Sequence, residues 1–384
     1  MVRIAVVGAG IGGLAVTAFL SRDGHDVHVF ESATALGEVG AGIQISPNGA
    51  RVLAELGALE NLRDVGVRPT RVVLRRWDDD RELNVMPLGE MAERRWGLPY
   101  FNVYRPDMID LLARLSGDAT FHFGAKVTDL RVDSEQPTLT TTGRGVEGFD
   151  LIIGADGIHS TVRRALHGDL PTRFRNLVAY RALVPRNAVP DLPMEVTNRL
   201  GPGGHVVSYF VGKQARYLNL VCISDDPDWD TESWNEPGDP NVLRQRYAEW
   251  SPSVRRILAN VESNVFRWAL HDREPLASWS RGAVTLLGDA CHPMVPFMAQ
   301  GACQALEDAS ALAHSLRSTS STIDALATYE SVRKDRTSTI QGRSFLNATT
   351  FHLPDGEQQQ ARDAAFSTTE TDAALARFDW LYAR

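Results

Sequence analysis

Residues 4–31 read IAVVGAGIGGLAVTAFLSRDGHDVHVFE, and the order of parts within them decides the fold. Ile4 to Val7 is an apolar run long enough for one buried parallel strand. Gly8, Gly10 and Gly13 follow as G-x-G-x-x-G. Leu14 to Ser21 has the pattern of an amphipathic helix, and Val27 to Phe30 is a second apolar strand that ends in Glu31. Gly8 permits the tight turn, Gly10 leaves room for a pyrophosphate against the backbone, and Gly13 lets the helix sit close to the sheet. The helix N-terminus offers free N–H groups and a partial positive charge to phosphates. Glu31, 18 residues past Gly13, stands where a carboxylate accepts hydrogen bonds from ribose hydroxyls. An acid there disfavours a 2′-phosphate, since like charges would meet. A glycine turn alone is weak evidence, but strand, turn, helix, strand and acid in this order predict a dinucleotide site.

The chain has 384 residues, a length for two domains or one large domain with an insertion. An apolar fraction of 43% and a charged fraction of 23% are ordinary for a soluble globular protein. The net charge of −8 gives no support to nucleic acid as a partner. The basic pairs Arg75-Arg76 and Arg94-Arg95 read as solvated faces. Cys222, Cys291 and Cys303 are odd in number and widely spaced, which predicts buried thiols rather than disulfides or a metal site. No signal peptide and no run of 18 apolar residues is present, so no membrane partner and a cytoplasmic location are expected.

Two further strands run into glycine turns. Phe149 to Ile153 meets Gly154-Ala155-Asp156-Gly157, with Ser160 and Arg163 on the helix that follows. Val284 to Leu287 meets Gly288-Asp289-Ala290-Cys291-His292-Pro293, and a helix is expected from Gln304 to about Leu316, with Glu307 and Asp308 in early turns where acids suit the dipole. Ligands of open parallel sheets bind outside the carboxyl ends of the strands, so three such ends line one elongated site, the shape an extended FAD needs. Asp289 can bond a ribityl hydroxyl. N–H groups at Gly301 and Ala302 can stabilise negative charge on a reduced flavin.

Between these turns lie other elements. Ser46 or Asn48 can cap a helix from Ala50 to Leu56, and Tyr104-Arg105-Pro106-Asp107 opens another to Leu115. From about Phe174 to Arg267 the chain reads as a mainly antiparallel sheet with strands at Val178 to Val184, His205 to Val211 and Tyr217 to Ile223. Asp225 to Pro240, with Trp229 and Trp234, reads as an acidic surface loop. Ile323 to Arg343 is helical, and the tail from Pro354 packs as a terminal helix carrying Phe378, Trp380 and Tyr382.

The set Gly8-x-Gly10-x-x-Gly13, Gly154-Ala155-Asp156-Gly157 with Arg163, and Gly288-Asp289-Ala290-x-His292 resembles the single-component FAD-dependent aromatic hydroxylases of the para-hydroxybenzoate hydroxylase fold, from residue 2 to about 345. Gly40 to Asn48 and Met298 to Ala309 look most like the salicylate, 3-hydroxybenzoate and 6-hydroxynicotinate hydroxylases. The resemblance implies an α/β fold: a Rossmann-like FAD-binding (GR2-type) domain of residues 1–70, 100–172 and 270–345, an inserted mainly antiparallel β-sheet substrate domain of residues 71–99 and 173–269, and a C-terminal helical tail of 346–384. It implies bound FAD and transient NADH or NADPH, with no second nucleotide domain. Glu31 would bind the adenosine ribose, Arg105 the pyrophosphate or ribityl region, Asp289 the ribityl chain, and Asp156 with Gly157 both FAD and the nicotinamide cofactor. Gln44, Gly301 and Ala302 would line the flavin. The implied chemistry is reduction of the flavin by NAD(P)H, reaction with O2 to a hydroperoxide, and oxygen transfer to an electron-rich ring from which water is excluded.

On the substrate side, Tyr217 could bond a phenolate, Gln300 could reach substrate from beside Gly301, and His205 could act as base or be an ordinary surface histidine. Tyr209 shares a strand face with His205, and Phe297 makes the pocket more apolar. Gln44 and Phe297 stand where 6-hydroxynicotinate hydroxylases and several relatives have histidine, which argues against that substrate. The expected function is hydroxylation, with or without decarboxylation, of a small phenolic or N-heteroaromatic acid. The alternatives are the same chemistry on a larger secondary metabolite, or a non-catalytic flavin-binding redox protein. A homodimer fits the resemblance.

Overall fold

The structure is a computed structural model that describes residues 1–37, 40–133, 136–229, 236–262 and 264–383. Trp234, singled out above, lies outside the described residues. Among the described residues, a six-stranded sheet has the spatial order Ser280–Arg281, Val284–Leu286, Leu151–Gly154, Arg3–Val7, Asp26–Phe30 and Thr120–His122. All its pairings are parallel except the first. Its strands are apolar on both faces, because helices cover both. The three strands that end in glycine turns are neighbours, so the turns converge on one sheet edge.

The second sheet has, among the described residues, eight strands in the order Glu236–Pro237, Val265–Asp272, Arg173–Pro185, Tyr217–Asp225, Gly204–Val211, Val196–Gly201, Arg71–Arg76 and Glu82–Pro87. Only Val196–Gly201 with Arg71–Arg76 is parallel. Its period-2 pattern separates two faces. Val206, Phe210, Leu220, Cys222 and Tyr180 pack on the helices Pro240–Arg246 and Pro252–Ala259. The opposite face, with His205, Tyr209, Asn219 and Trp268, turns toward the nucleotide-binding half: Gly42 lies against Asn219 and Tyr209, and Val295 and Phe297 pack on Trp268.

Several expectations are corrected. The helix after the third turn begins at Gly301 and runs to Ser318, so Glu307 and Asp308 lie beyond its first turn and act as ion-pair partners, not as dipole complements. The tail forms three short helices, Glu357–Ser367, Thr371–Ala376 and Asp379–Tyr382, in place of one. Helices Glu90–Trp96 and Pro252–Ala259 carry no strong sequence signal and were missed. Arg75 and Arg76 are half-buried partners of Glu195, Glu82, Asp78 and Asp355, not a solvated face. Neither Ser46 nor Asn48 caps the helix Pro47–Glu55 through its side chain. The cysteines are buried free thiols, and no helix among the described residues is long and apolar enough to cross a membrane.

Candidate active site

At the first turn, Gly8 has φ +100°, and a Cβ on it would stand 2.5 Å from the Ala155 oxygen. A Cβ on Gly13 would overlap the Gly8 carbonyl oxygen, and one on Gly12 would stand 2.5 Å from Leu287 Cδ2. Gly12 was not recognised in the sequence; its partner is 275 residues away by the numbering. These three glycines serve close packing. Gly10 differs, since a Cβ there would meet nothing within 4 Å. It opens the helix Ile11–Arg22, whose N-terminus has no side-chain cap. The N–H groups of Ala9 and Ala33 donate to the Glu31 carboxylate at 2.9 and 2.8 Å, which fixes it beside the turn.

At the second turn, Asp156 is taken up by the helix it opens. Ser160 Oγ donates to it at 2.5 Å and the Thr161 N–H at 2.7 Å. Burial pushes its carboxyl pKa up and these bonds oppose the rise. Arg163 is buried and donates to the Ile158 carbonyl at 2.7 Å.

At the third turn, the Asp289 carboxylate opens onto the cleft, 3.9 Å from where a Gly301 Cβ would stand. The protein atoms crowded round it raise its pKa, opposed by the charges of His292 and Arg105. Arg105 is tied in through its backbone N–H, which donates to the Ala41 carbonyl at 2.8 Å. The helix Gly301–Ser318 starts without a side-chain cap, so its first N–H groups are available to an anion.

Gln300, expected to reach substrate, has both ends of its amide bonded within the protein. It is 1% exposed; its Nε2 donates to Ser46 Oγ at 2.9 Å, and its Oε1 accepts from Asn48 at 3.0 Å and Gln304 at 2.9 Å. The amide network continues through Glu307 to Arg333 and Arg336. Asp308 accepts from Arg333 Nε, His292 Nε2 and the Gly288 N–H. His292 and Arg333 hold its carboxyl down at about 2 against the effect of burial. Gln300 thus belongs to the scaffold that sets the Gly288 and Gly301 turns relative to each other.

The other two candidate catalytic residues are far apart. Tyr217 pairs with Val211, six residues along the strand from His205, a separation of about 20 Å at ~3.3 Å per residue. Tyr217 sits at the rim beside Tyr104, ring centroids 5.9 Å apart, with Arg216 over both rings. His205 is buried, not a surface histidine; its Nδ1 lies 2.7 Å from His352 Nε2 and its ring meets Phe297 and Phe351 edge-on. Burial, and then the neighbouring His352, lower its pKa well below the usual value. Phe297 is 7% exposed and packs into this cluster, so it forms wall more than pocket surface.

Tyr209 lies closer to the centre. A Cβ on Gly42 would stand 2.7 Å from Tyr209 Cε2 and 2.7 Å from Asn219 Cγ. Burial raises the Tyr209 hydroxyl pKa. Asn219, missed in the sequence, accepts the Gly42 N–H at 2.7 Å, while its buried Nδ2 has no partner among the described residues. Gln44, on the Gly42 side of its strand, donates to Asn102 at 3.4 Å.

The open space at Gly10, the fixed Glu31, the carboxylate of Asp289 and the uncapped Gly301 helix fit FAD. A family model described as FAD binding domain matches residues 1–344. The chain belongs to the FAD-dependent aromatic hydroxylase family. It is 38% identical to the 3-amino-4-hydroxybenzoate 2-monooxygenase PtmB3 of Streptomyces platensis, over 99% of this chain and 95% of that one. It is 34% identical to the 6-hydroxynicotinate 3-monooxygenase of Pseudomonas fluorescens, over 90% of this chain and 91% of that one. Among solved structures it resembles Klebsiella pneumoniae HpxO complexed with FAD and uric acid, with TM-score 0.88, 26% identity and coverage of 99% and 96%. A salicylate hydroxylase substrate complex gives TM-score 0.82 at 26% identity, with coverage of 99% and 95%. The family's two parts, a nucleotide-binding turn and a sheet facing it, are thus both present in this chain.

Proposed function

We propose that this chain is a monooxygenase that hydroxylates a small aromatic acid bearing a hydroxyl and an amino group, with NAD(P)H as reductant and O2 as oxidant. The balance is one ring C–H and one O2 consumed with NAD(P)H and a proton, giving the ring hydroxyl, NAD(P)⁺ and water. Bound FAD supplies the hydride acceptor and the activation of oxygen. The chain's own residues position and enclose. Glu31 and Asp289 hold hydroxyls of the cofactor, the Gly301 helix faces developing negative charge, and apolar side chains keep water out.

The observation that carries this reading is the 38% identity to a 3-amino-4-hydroxybenzoate 2-monooxygenase over almost the whole chain. The cleft supports it. Asp289, Pro293, Met294 and Trp268 line a cavity between the third glycine turn and the sheet, where a ring substrate would meet the flavin. The absence of histidine at Gln44 and Phe297 argues against 6-hydroxynicotinate.

The test is oxidation of NADH and NADPH by the FAD-loaded protein with 3-amino-4-hydroxybenzoate, hydroxybenzoates and hydroxypyridines, while oxygen, peroxide and carbon dioxide are followed. Faster oxidation with little peroxide is expected for the aminohydroxybenzoate, without carbon dioxide. Release of carbon dioxide would instead mark decarboxylative attack. No acceleration by any monocyclic acid would overturn the reading.

A further inference from the structure

The sheet face turned toward the nucleotide-binding half can be followed row by row from its registers, because paired residues on neighbouring strands share a face. One row crosses five strands: Leu74, Asn198, Val207, Val221 and Arg181. All five are partly exposed. The rows beside it are closed at their centres. On one side Leu200, His205, Ile223, Ala179 and Trp268 are buried, and on the other Val196, Tyr209 and Asn219 are buried. Val207 and Val221 therefore form an accessible apolar floor in the middle of an otherwise closed face.

The ends of this floor are polar. At one end, the Arg181 guanidinium lies over the Trp268 ring, 3.7 Å from its centroid, and lines the cavity that Asp289 and Pro293 to Pro296 close from the other side. At the other end, Asn198 presents a buried Oδ1 that has no hydrogen-bond partner among the described residues. A buried acceptor without a donor is costly, and a ligand N–H or O–H satisfies it. Three inter-strand steps separate the two residues, about 14 Å between Cα atoms at ~4.8 Å per strand. The Arg181 guanidinium leans toward Trp268 on the neighbouring strand Val265–Asp272, so a ligand that meets both groups spans the row between them.

We propose that this row holds the ring substrate crosswise, with its carboxylate on Arg181, its ring on Val207 and Val221, and a hydrogen of its amino group donated to Asn198 Oδ1. The inference rests on the aromatic-acid reading above and assigns its recognition groups. A guanidinium binds a carboxylate through two parallel hydrogen bonds, so it distinguishes an acid from its carboxylate-free analogue. The amide oxygen distinguishes a ring that carries a donor from one that lacks it.

The experiment is equilibrium binding to the FAD-loaded protein, read from the flavin absorbance change, with 3-amino-4-hydroxybenzoate, 2-aminophenol and 4-hydroxybenzoate. The wild-type protein is expected to bind the first more tightly than either of the others. Arg181→Met should reduce the preference for the acid over 2-aminophenol by about 10- to 100-fold. Asn198→Ala should reduce the preference for the amino acid over 4-hydroxybenzoate by roughly tenfold. The two variants lie on different strands, so the loss of one to misfolding leaves the other to decide. Unchanged ratios in the variants that bind FAD would overturn the assignment while leaving the aromatic-acid reading intact. If the wild-type protein itself responds to none of the three ligands, the aromatic-acid reading fails instead. A change confined to the KM for NAD(P)H in Arg181→Met would also overturn the proposal, by placing the guanidinium on the reductant.

Discussion

A methyl group added at Gly10 would meet open space, whereas one added at Gly13 would overlap the Gly8 carbonyl oxygen. The two substitutions therefore separate ligand binding from folding. Gly10→Ala should fold with a melting temperature close to wild type in the absence of FAD and bind FAD at least about tenfold more weakly, because the methyl occupies the approach of the pyrophosphate. Gly13→Ala should destabilise the apoprotein by roughly 1–3 kcal/mol, since the helix Ile11–Arg22 must lift from the turn. Calorimetry of the apoproteins and FAD titration by fluorescence quenching check both; equal FAD affinities for Gly10→Ala and wild type would sink the first. This turn was legible in the sequence because each glycine answers to neighbours within the same motif. Gln300 was not, because the groups that hold it, Ser46 and Asn48, stand 254 and 252 residues away. Its position beside Gly301 suggested substrate contact, and only the folded chain shows that both ends of the amide are already bonded.

The segment from Pro293 to Phe297, which closes the cleft opposite the sheet, is held by one face of the helix Thr322–Phe351. Gln341 donates to the Pro293 carbonyl at 3.0 Å, Ser344 to Val295 at 2.6 Å and Asn347 to Phe297 at 3.1 Å. Donors three residues apart lie along one side of a helix, and they meet the carbonyls of Pro293 and Val295 and that of Phe297 in the 3-10 turn Pro296–Met298. The sequence showed the helix but not this use of it, since polar residues on a helix ordinarily face solvent. Ser344 is fully buried, so Ser344→Ala leaves the Val295 carbonyl without its donor and should cost about 1–3 kcal/mol. The loosened segment should admit water to the cleft. The expected result is a higher ratio of peroxide to product at saturating substrate, with FAD content unchanged. A variant as tightly coupled as the wild type would show that packing of the segment suffices without these bonds.

At the scale of the whole molecule, the C-terminal tail and a histidine pair fasten the two halves. Arg51 and Arg336 donate to the carbonyls of Trp380, Leu381 and Tyr382, and Arg95 pairs with Asp379 at 2.6 Å. Leu381 and Tyr382 share an apolar cluster with Met86 from the sheet and with Met294 and Met298 from the cleft segment. Removal of residues 378–384 should therefore lower the melting temperature by several degrees, and an unchanged melting curve would show that the tail is an appendage. The histidine pair joins the sheet to the far end of the long helix, through His205 and His352. Burial holds His352 down to about 4 and His205 well below its usual value, so both stay neutral in the folded chain. In the unfolded chain each protonates near pH 6.5. Below that pH the unfolded state binds more protons than the folded state, so stability falls as the solution is acidified from about pH 6.5 toward 4 and is insensitive to these groups above it. Each such histidine contributes a slope of up to about 1.4 kcal/mol per pH unit. The carboxylates held down by ion pairs, Asp308 and Glu307, begin to matter only at lower pH, whereas Asp156 and Asp289, raised by burial, oppose the acid loss, so it is the difference between variant and wild type from pH 5 to 6.5 that reports on the histidine pair. His25, His122 and His167 are also lowered by burial and supply a background slope. Urea unfolding across this window should show a shallower acid loss for the His205→Gln, His352→Gln double variant than for wild type. The same double variant should retain the pH profile of turnover if the pair acts only as a fastening between sheet and helix. An unchanged stability slope would mean that the pair is protonated in the folded chain, and loss of turnover with an intact fold would return His205 to the catalytic role the sequence suggested.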